Sequence, residues 1–181
     1  MRKAIIFDRD GTLIVDKIYL NDPAHIEYLP GIFDALRALR DGGFVFAVAT
    51  NQSGVPRGLV DVRMLDRIHE IIRSDFAKHG VDILSFHSAP FMTDFDHPMR
   101  KPNPGMLLEA VRWHNLDPTR SWMIGDRATD VVAGRKAGMK TAYLTHTHKF
   151  DQNDLIPDLI GNQVSDLVDA ILAHETPPSR S

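Results

Sequence analysis

Short apolar runs alternate with longer amphipathic stretches along the chain. Ala4-Ile5-Ile6-Phe7, Phe44-Val45-Phe46-Ala47-Val48-Ala49-Thr50, Ile83-Leu84-Ser85-Phe86-His87, Ser121-Trp122-Met123-Ile124-Gly125 and Lys140-Thr141-Ala142-Tyr143-Leu144 read as five strands. The second is apolar without alternation, as befits a strand covered on both faces. Between them, apolar residues recur at helical spacing. Ile32, Leu36 and Leu39 mark a helix that Pro30-Gly31 opens and Gly42-Gly43 closes, and Leu65, Ile68, Ile72 and Phe76 mark one over 61–79 that Gly80 stops. Further helices are predicted over 105–114, 129–137 and 164–173. Strands alternating with helices predict an α/β fold with a central parallel sheet, whose ligands bind beyond the carboxyl ends of the strands. Residues 1–174 are expected to form a single domain and 175–181 a flexible tail.

Length and composition narrow the classes of function. A chain of 181 residues supports one substantial core. The formal net charge is −3, from 21 basic and 24 acidic residues, and no basic stripe interrupts the sequence, so neither nucleic acid nor an acidic membrane is implied as a partner. The absence of cysteine removes disulfides, thiolate nucleophiles and Cys-ligated metal sites together. The apolar run after Met1-Arg2-Lys3 is too short for a signal peptide or membrane span, and a cytoplasmic location is expected.

The chemistry gathers at strand ends. Ala4-Ile5-Ile6-Phe7 runs into Asp8-Arg9-Asp10-Gly11-Thr12, and on an extended backbone Asp8 and Asp10, two apart, project to one face. Paired carboxylates ask for a cation, a shared proton or strong donors, and a hard ion such as Mg²⁺ suits them. Thr50-Asn51-Gln52-Ser53-Gly54 offers a hydroxyl, amides and backbone N–H groups to a phosphate, although such a turn is also ordinary loop chemistry. Arg100-Lys101 before Pro102 offers cations, or a solvated basic pair. Gly125-Asp126-Arg127-Ala128-Thr129-Asp130 offers carboxylates to a metal, or a helix N-cap. All four together after apolar strands favour phosphoryl transfer. Trp113 and Trp122 read as core residues, and His146-Thr147-His148 lacks a third ligand for a metal.

These motifs, in this order, resemble those of the haloacid dehalogenase-like (HAD-like) phosphatases. The resemblance spans residues 5–144 and implies a Rossmann-like three-layer sandwich. Asp8 is then the nucleophile that forms an aspartyl-phosphate. Asp10 is the acid and base, its side chain turned from the metal into surroundings that favour protonation. Thr50 and Lys101 hold the phosphoryl group, while Asp8, the Asp10 carbonyl and Asp126 bind Mg²⁺.

Within the superfamily the chain is most similar to the branch of heptose-bisphosphate and histidinol-phosphate phosphatases. Thr50 to Gly58 and the Asp16-Lys17-Ile18-Tyr19 segment favour the heptose group, whereas Arg127 matches the histidinol group's spelling. The implied substrate contacts are Asp16, Tyr19, Asn51, Gln52, Ser53, Arg57, Arg100 and Arg127. Relatives carry a zinc loop before Arg-Lys-Pro; here it would comprise Ser88-Ala89-Pro90 to His97-Pro98-Met99, without thiolates, so no structural zinc is expected. The spacings leave no room for a large cap domain. A monomer acting on a small phosphorylated metabolite, a sugar bisphosphate above all, is the expectation. The alternative from another class is a non-catalytic phosphometabolite-binding protein on the same fold.

Overall fold

The computed structural model describes residues 1–148 and 156–174, so the expected tail lies outside the described residues. The chain runs β1 (Ala4–Phe7), α1 (Ile32–Asp41), β2 (Val45–Asn51), α2 (Val62–Lys78), β3 (Ile83–Ala89), α3 (Gly105–His114), β4 (Trp122–Gly125), α4 (Ala128–Lys136), β5 (Lys140–Leu144), β6 (Leu159–Gly161) and α5 (Val164–Ala173), with short 3-10 turns at Pro23–His25 and Pro118–Arg120. Each element read from periodicity is present, its ends shifted by at most about two residues, the usual uncertainty of helix and strand termini.

The strands form one parallel sheet in the order β3-β2-β1-β4-β5-β6. Successive strands step outward from β1 in one direction and from β4 in the other, so the switch point lies between β1 and β4. Phe7 pairs with Val48 on one side and Ile124 on the other, which brings the carboxyl ends of β1, β2 and β4 level beneath one crevice.

Alternation along β1 sends Ile5 and Phe7 into one core and Ala4 and Ile6 into the other. The first core is closed by α1, α2 and α5 through residues such as Leu36, Ile72 and Leu167, the second by α3 and α4 through Met106, Ala110 and Ala133. That is the three-layer sandwich. No cap-sized insertion occurs among the described residues, and none of their helices is long and apolar enough to cross a membrane.

Two features depart from the sequence reading. β6, a three-residue strand with partly exposed side chains, escapes detection because it carries no apolar run. Trp113, expected in the core, is 66% exposed and lies over the His87 ring at 5.2 Å, whereas Trp122 is fully buried. Beneath Trp113 a buried polar chain ties edge strand β3 to α3. Ser85 Oγ lies 2.8 Å from both His87 Nε2 and His114 Nε2, and His87 Nδ1 lies 2.7 Å from Glu109. Although this resembles a nucleophile, base and carboxylate in series, the Ser85 hydroxyl is enclosed between two imidazoles and anchors the strand.

Phe76 joins α2 to α1, its ring 4.9 Å from Phe33 and 5.8 Å from Tyr28. Phe76→Ala is expected to lower stability by about 3–5 kcal/mol, through lost burial and the cavity it leaves, measured as a shift in the urea midpoint at unchanged slope.

Candidate active site

Asp8 continues β1 by one residue, its N–H donating to the Ile124 carbonyl at 2.9 Å, and its carboxylate stands at the floor of the crevice. Lys101 meets it from the loop between β3 and α3. The ammonium, only 2% exposed, donates to Asp8 Oδ1 at 2.9 Å and to the Ala49 carbonyl at 2.6 Å, and pairs with Asp130 Oδ1 at 2.6 Å. Burial opposes the charged lysine, but Asp130 and Asp8 outweigh it and hold the ammonium above its ordinary pKa. On Asp8, burial dominates over the opposing Lys101 charge, Asp130 and Asp10 add to it, and the carboxyl is pushed up to about 7.

Asn51 holds Lys101 in place. Its side-chain amide donates to the Lys101 carbonyl at 2.9 Å and its side-chain oxygen accepts the Lys101 N–H at 3.0 Å. Asn51 also lines the cleft, but its side-chain amide is engaged with the Lys101 backbone.

Asp8, Asp126 and Asp130 each present an oxygen within 4.8 Å of the others, the one such buried cluster among the described residues. Asp130 stood in a motif singled out from the sequence but not in its ligand set. Here it accepts the Arg127 N–H at 3.0 Å and buttresses Lys101. Both oxygens of Asp126 are buried without a hydrogen bond, with Arg127 Nε standing off at 3.8 Å. Burial, then the Asp8 charge, push Asp126 up to about 6. Three carboxylates against one ammonium leave two negative charges when all are ionised, so the donor set fits one hard divalent cation. Gly11, at φ +74°, backs directly onto Asp126, where any Cβ would collide with the carboxylate.

Asp10 is turned aside from this cluster. Its carboxylate receives both Nε and Nη2 of Arg9, the Nη2 contacts at 2.8 and 2.9 Å, and Gln52 Nε2 donates to it at 3.0 Å while also donating to Thr50 Oγ1 at 2.9 Å. Its surroundings are therefore hydrogen-bond donors from Arg9 and Gln52. Arg9, only 1% exposed, is the functional residue that motif reading passes over. The available signal was alternation: the middle residue of Asp-x-Asp points opposite to the pair, here into the fold, where a guanidinium requires a partner.

The cleft over these groups measures about 570 Å³, and Asp16, Tyr19, Ser53, Arg100 and Arg127 stand on its walls with Thr50 and Lys101 at its base. Arg127 Nη2 pairs with Asp16 at 3.3 Å across the mouth. Arg57 is not on the wall. Hydrogen-bonded turns from Gln52 to Val55 and Val55 to Gly58 carry it outward, exposed, where its charge is felt by Arg100. Arg100 itself donates to the Phe91 carbonyl at 3.2 Å. In the loop weighed from the sequence for a zinc site, His97 stacks on Phe91 at 3.7 Å with Phe95 alongside, and its Nδ1 accepts the Met99 N–H at 3.1 Å. His97 thus closes the loop by packing. His146 contacts the Asn162 carbonyl at 2.8 Å through Nδ1.

The buried nucleophile-like carboxylate, its lysine and the carboxylate cluster agree with what known proteins resemble this chain. A family model described as "HAD-hyrolase-like" matches residues 98–169. The D-glycero-beta-D-manno-heptose-1,7-bisphosphate 7-phosphatase of Pasteurella multocida is 36% identical over 155 residues, 82% of this chain and 84% of that protein. The protein of the same name from Haemophilus influenzae is 34% identical over 92% of this chain and 95% of its own length. Among solved structures, D,D-heptose 1,7-bisphosphate phosphatase from B. bronchiseptica, complexed with magnesium and phosphate, superposes with a TM-score of 0.83 at 27% identity over 95% of this chain and 99% of that one. Sequence over nearly the whole length and fold agree, and this chain belongs to the D-glycero-beta-D-manno-heptose-1,7-bisphosphate 7-phosphatase family of HAD-like phosphatases.

Proposed function

We propose that this chain removes the 7-phosphate of D-glycero-D-manno-heptose 1,7-bisphosphate by way of an aspartyl-phosphate on Asp8. The observation that carries this reading is the division between the two carboxylates: Asp8 is buried against Lys101, while Asp10 is held apart from it by Arg9 and Gln52. A protein that only bound phosphate would have no use for the second.

In the first step Asp8 attacks phosphorus and the ester P–O bond breaks. The proton reaching the leaving oxygen comes from Asp10. Asp10 therefore enters this step in its acid form. In the second step Asp10 takes a proton from water, whose oxygen attacks phosphorus, releasing phosphate and free Asp8. Thr50 and Lys101 hold the transferring group, so that the barrier falls mainly by positioning and charge neutralisation. Mg²⁺, for which Asp8, the Asp10 carbonyl and Asp126 are the proposed ligands, would keep Asp8 ionised and neutralise phosphate charge. The uncapped cleft suits a substrate that brings its own second anchor, and Arg100 on the wall is the group suited to the distal phosphate or sugar hydroxyls. One chain supplies every one of these residues, which supports a working monomer.

Asp8→Asn is expected to abolish turnover with the fold intact by circular dichroism. Retention of more than about a tenth of wild-type kcat, a barrier change under ~1.4 kcal/mol, contradicts the nucleophile assignment. Measuring kcat/KM on heptose 1,7-bisphosphate, histidinol phosphate and fructose 1,6-bisphosphate tests the substrate; preference for histidinol phosphate selects the alternative branch.

Because burial pushes Asp8 up to about 7 and Asp126 up to about 6 without metal, Asp8 is mostly and Asp126 partly protonated at pH 6, and both lose protons as pH rises. Mg²⁺ binding at pH 6 is therefore expected to expel on the order of one proton, and far less at pH 8.5. Calorimetry in two buffers of different ionisation enthalpy measures this, and no buffer dependence at pH 6 contradicts it.

Arg100→Ala is expected to lower kcat/KM for the bisphosphate by about 10- to 100-fold, the ~1.5–3 kcal/mol of a charge-assisted contact. p-Nitrophenyl phosphate, which lacks a second phosphate, is expected to be hydrolysed almost normally. Equal losses on both would place Arg100 with the reacting groups instead.

A further inference from the structure

We infer that His69 of α2 is a positioning residue for the acid–base carboxylate of Asp10, acting through Arg9. The inference rests on the proposed role of Asp10. Arg9 faces Asp10 with two of its nitrogens and turns the third, Nη1, to His69 Nε2 at 3.1 Å. A guanidinium can only donate, so Nε2 must accept and the ring proton sits on Nδ1. His69 in turn lies flat on Phe86, with ring centroids 4.6 Å apart and planes 20° apart, and the guanidinium of Arg73 stands 5.5 Å from the Phe86 centroid.

Phe86, His69, Arg9 and Asp10 thus form a continuous stack and hydrogen-bond chain from edge strand β3 to the cleft. Arg9 is 1% and His69 8% exposed, so water cannot readily take the place of the imidazole. Without that acceptor one guanidinium edge is left buried and unpaired, and the plane presented to Asp10 loses its rear support.

The chemistry of the position also explains the residue type. A carboxylate at position 69 would compete with Asp10 for the guanidinium. An ammonium would repel it. A neutral imidazole satisfies Nη1 and leaves Asp10 as the one carboxylate hydrogen-bonded to Arg9 among the described residues. Burial, then Arg9 and Arg73, push the imidazole pKa down to about 3, keeping the ring uncharged over the working range.

The test compares leaving groups. His69→Phe keeps a flat ring against Phe86 but removes the acceptor; His69→Leu does the same without a ring, should the first fail to fold; His69→Gln restores a carbonyl acceptor. Each is assayed beside Asp10→Asn on p-nitrophenyl phosphate and on glycerol phosphate, with thermal melting to establish folding. Poor leaving groups need the acid most, so His69→Phe is expected to lower kcat on glycerol phosphate by about 10-fold and on p-nitrophenyl phosphate by less than about 3-fold. His69→Gln is expected to recover to within about 3-fold of wild type on both substrates. Equal losses on the two substrates for His69→Phe, or a leaving-group bias in Asp10→Asn with none in His69→Phe, overturn the inference alone. Absence of bias in Asp10→Asn overturns the acid role and this inference with it.

Discussion

The site depends on one buried ammonium. Lys101 is the only cation within hydrogen-bond reach of both Asp8 and Asp130 among the described residues, and it is almost wholly out of water. A buried ion pair gives little net stability compared with an apolar replacement, but losing one partner leaves an uncompensated charge, at a cost of about 3–5 kcal/mol. The carboxylates therefore cannot be brought together unless the loop before α3 delivers this lysine, and that is why Asn51 grips the backbone at Lys101 from both sides.

Charge that Lys101 leaves unanswered makes the cluster fit for metal and phosphate. Asp126 is sealed without a hydrogen bond, which in an ordinary core would be a defect. Beside Asp8 at the end of β1 and Asp130 in the first turn of α4 it becomes a site poised for a divalent cation. The raised pKa values of Asp8 and Asp126 express the same frustration: without the cation, protons take its place.

Asp10 is only two residues from Asp8 yet belongs to a different network. Arg9 and Gln52 draw its carboxylate aside, and through Gln52 that carboxylate is linked to Thr50 at the end of β2. One short segment thus carries two carboxylates in two environments, the condition for giving them different roles in catalysis.

The sequence by itself determined the strands and helices, because apolar periodicity is a local property that burial of one face enforces. It also placed Asp8, Asp10, Thr50, Lys101 and Asp126 at or beyond the carboxyl ends of strands, which a parallel sheet brings to a common edge. Tertiary structure alone decided the partners. Asn51 turned to the Lys101 backbone, Arg57 swung off the cleft wall, Trp113 stayed on the surface, and Arg9 found His69 on a helix sixty positions further along. These outcomes depend on which side chains distant in sequence stand opposite one another once the sheet order is set. Hydrogen-bond satisfaction in a buried site is a property of that three-dimensional arrangement, and no local pattern encodes it.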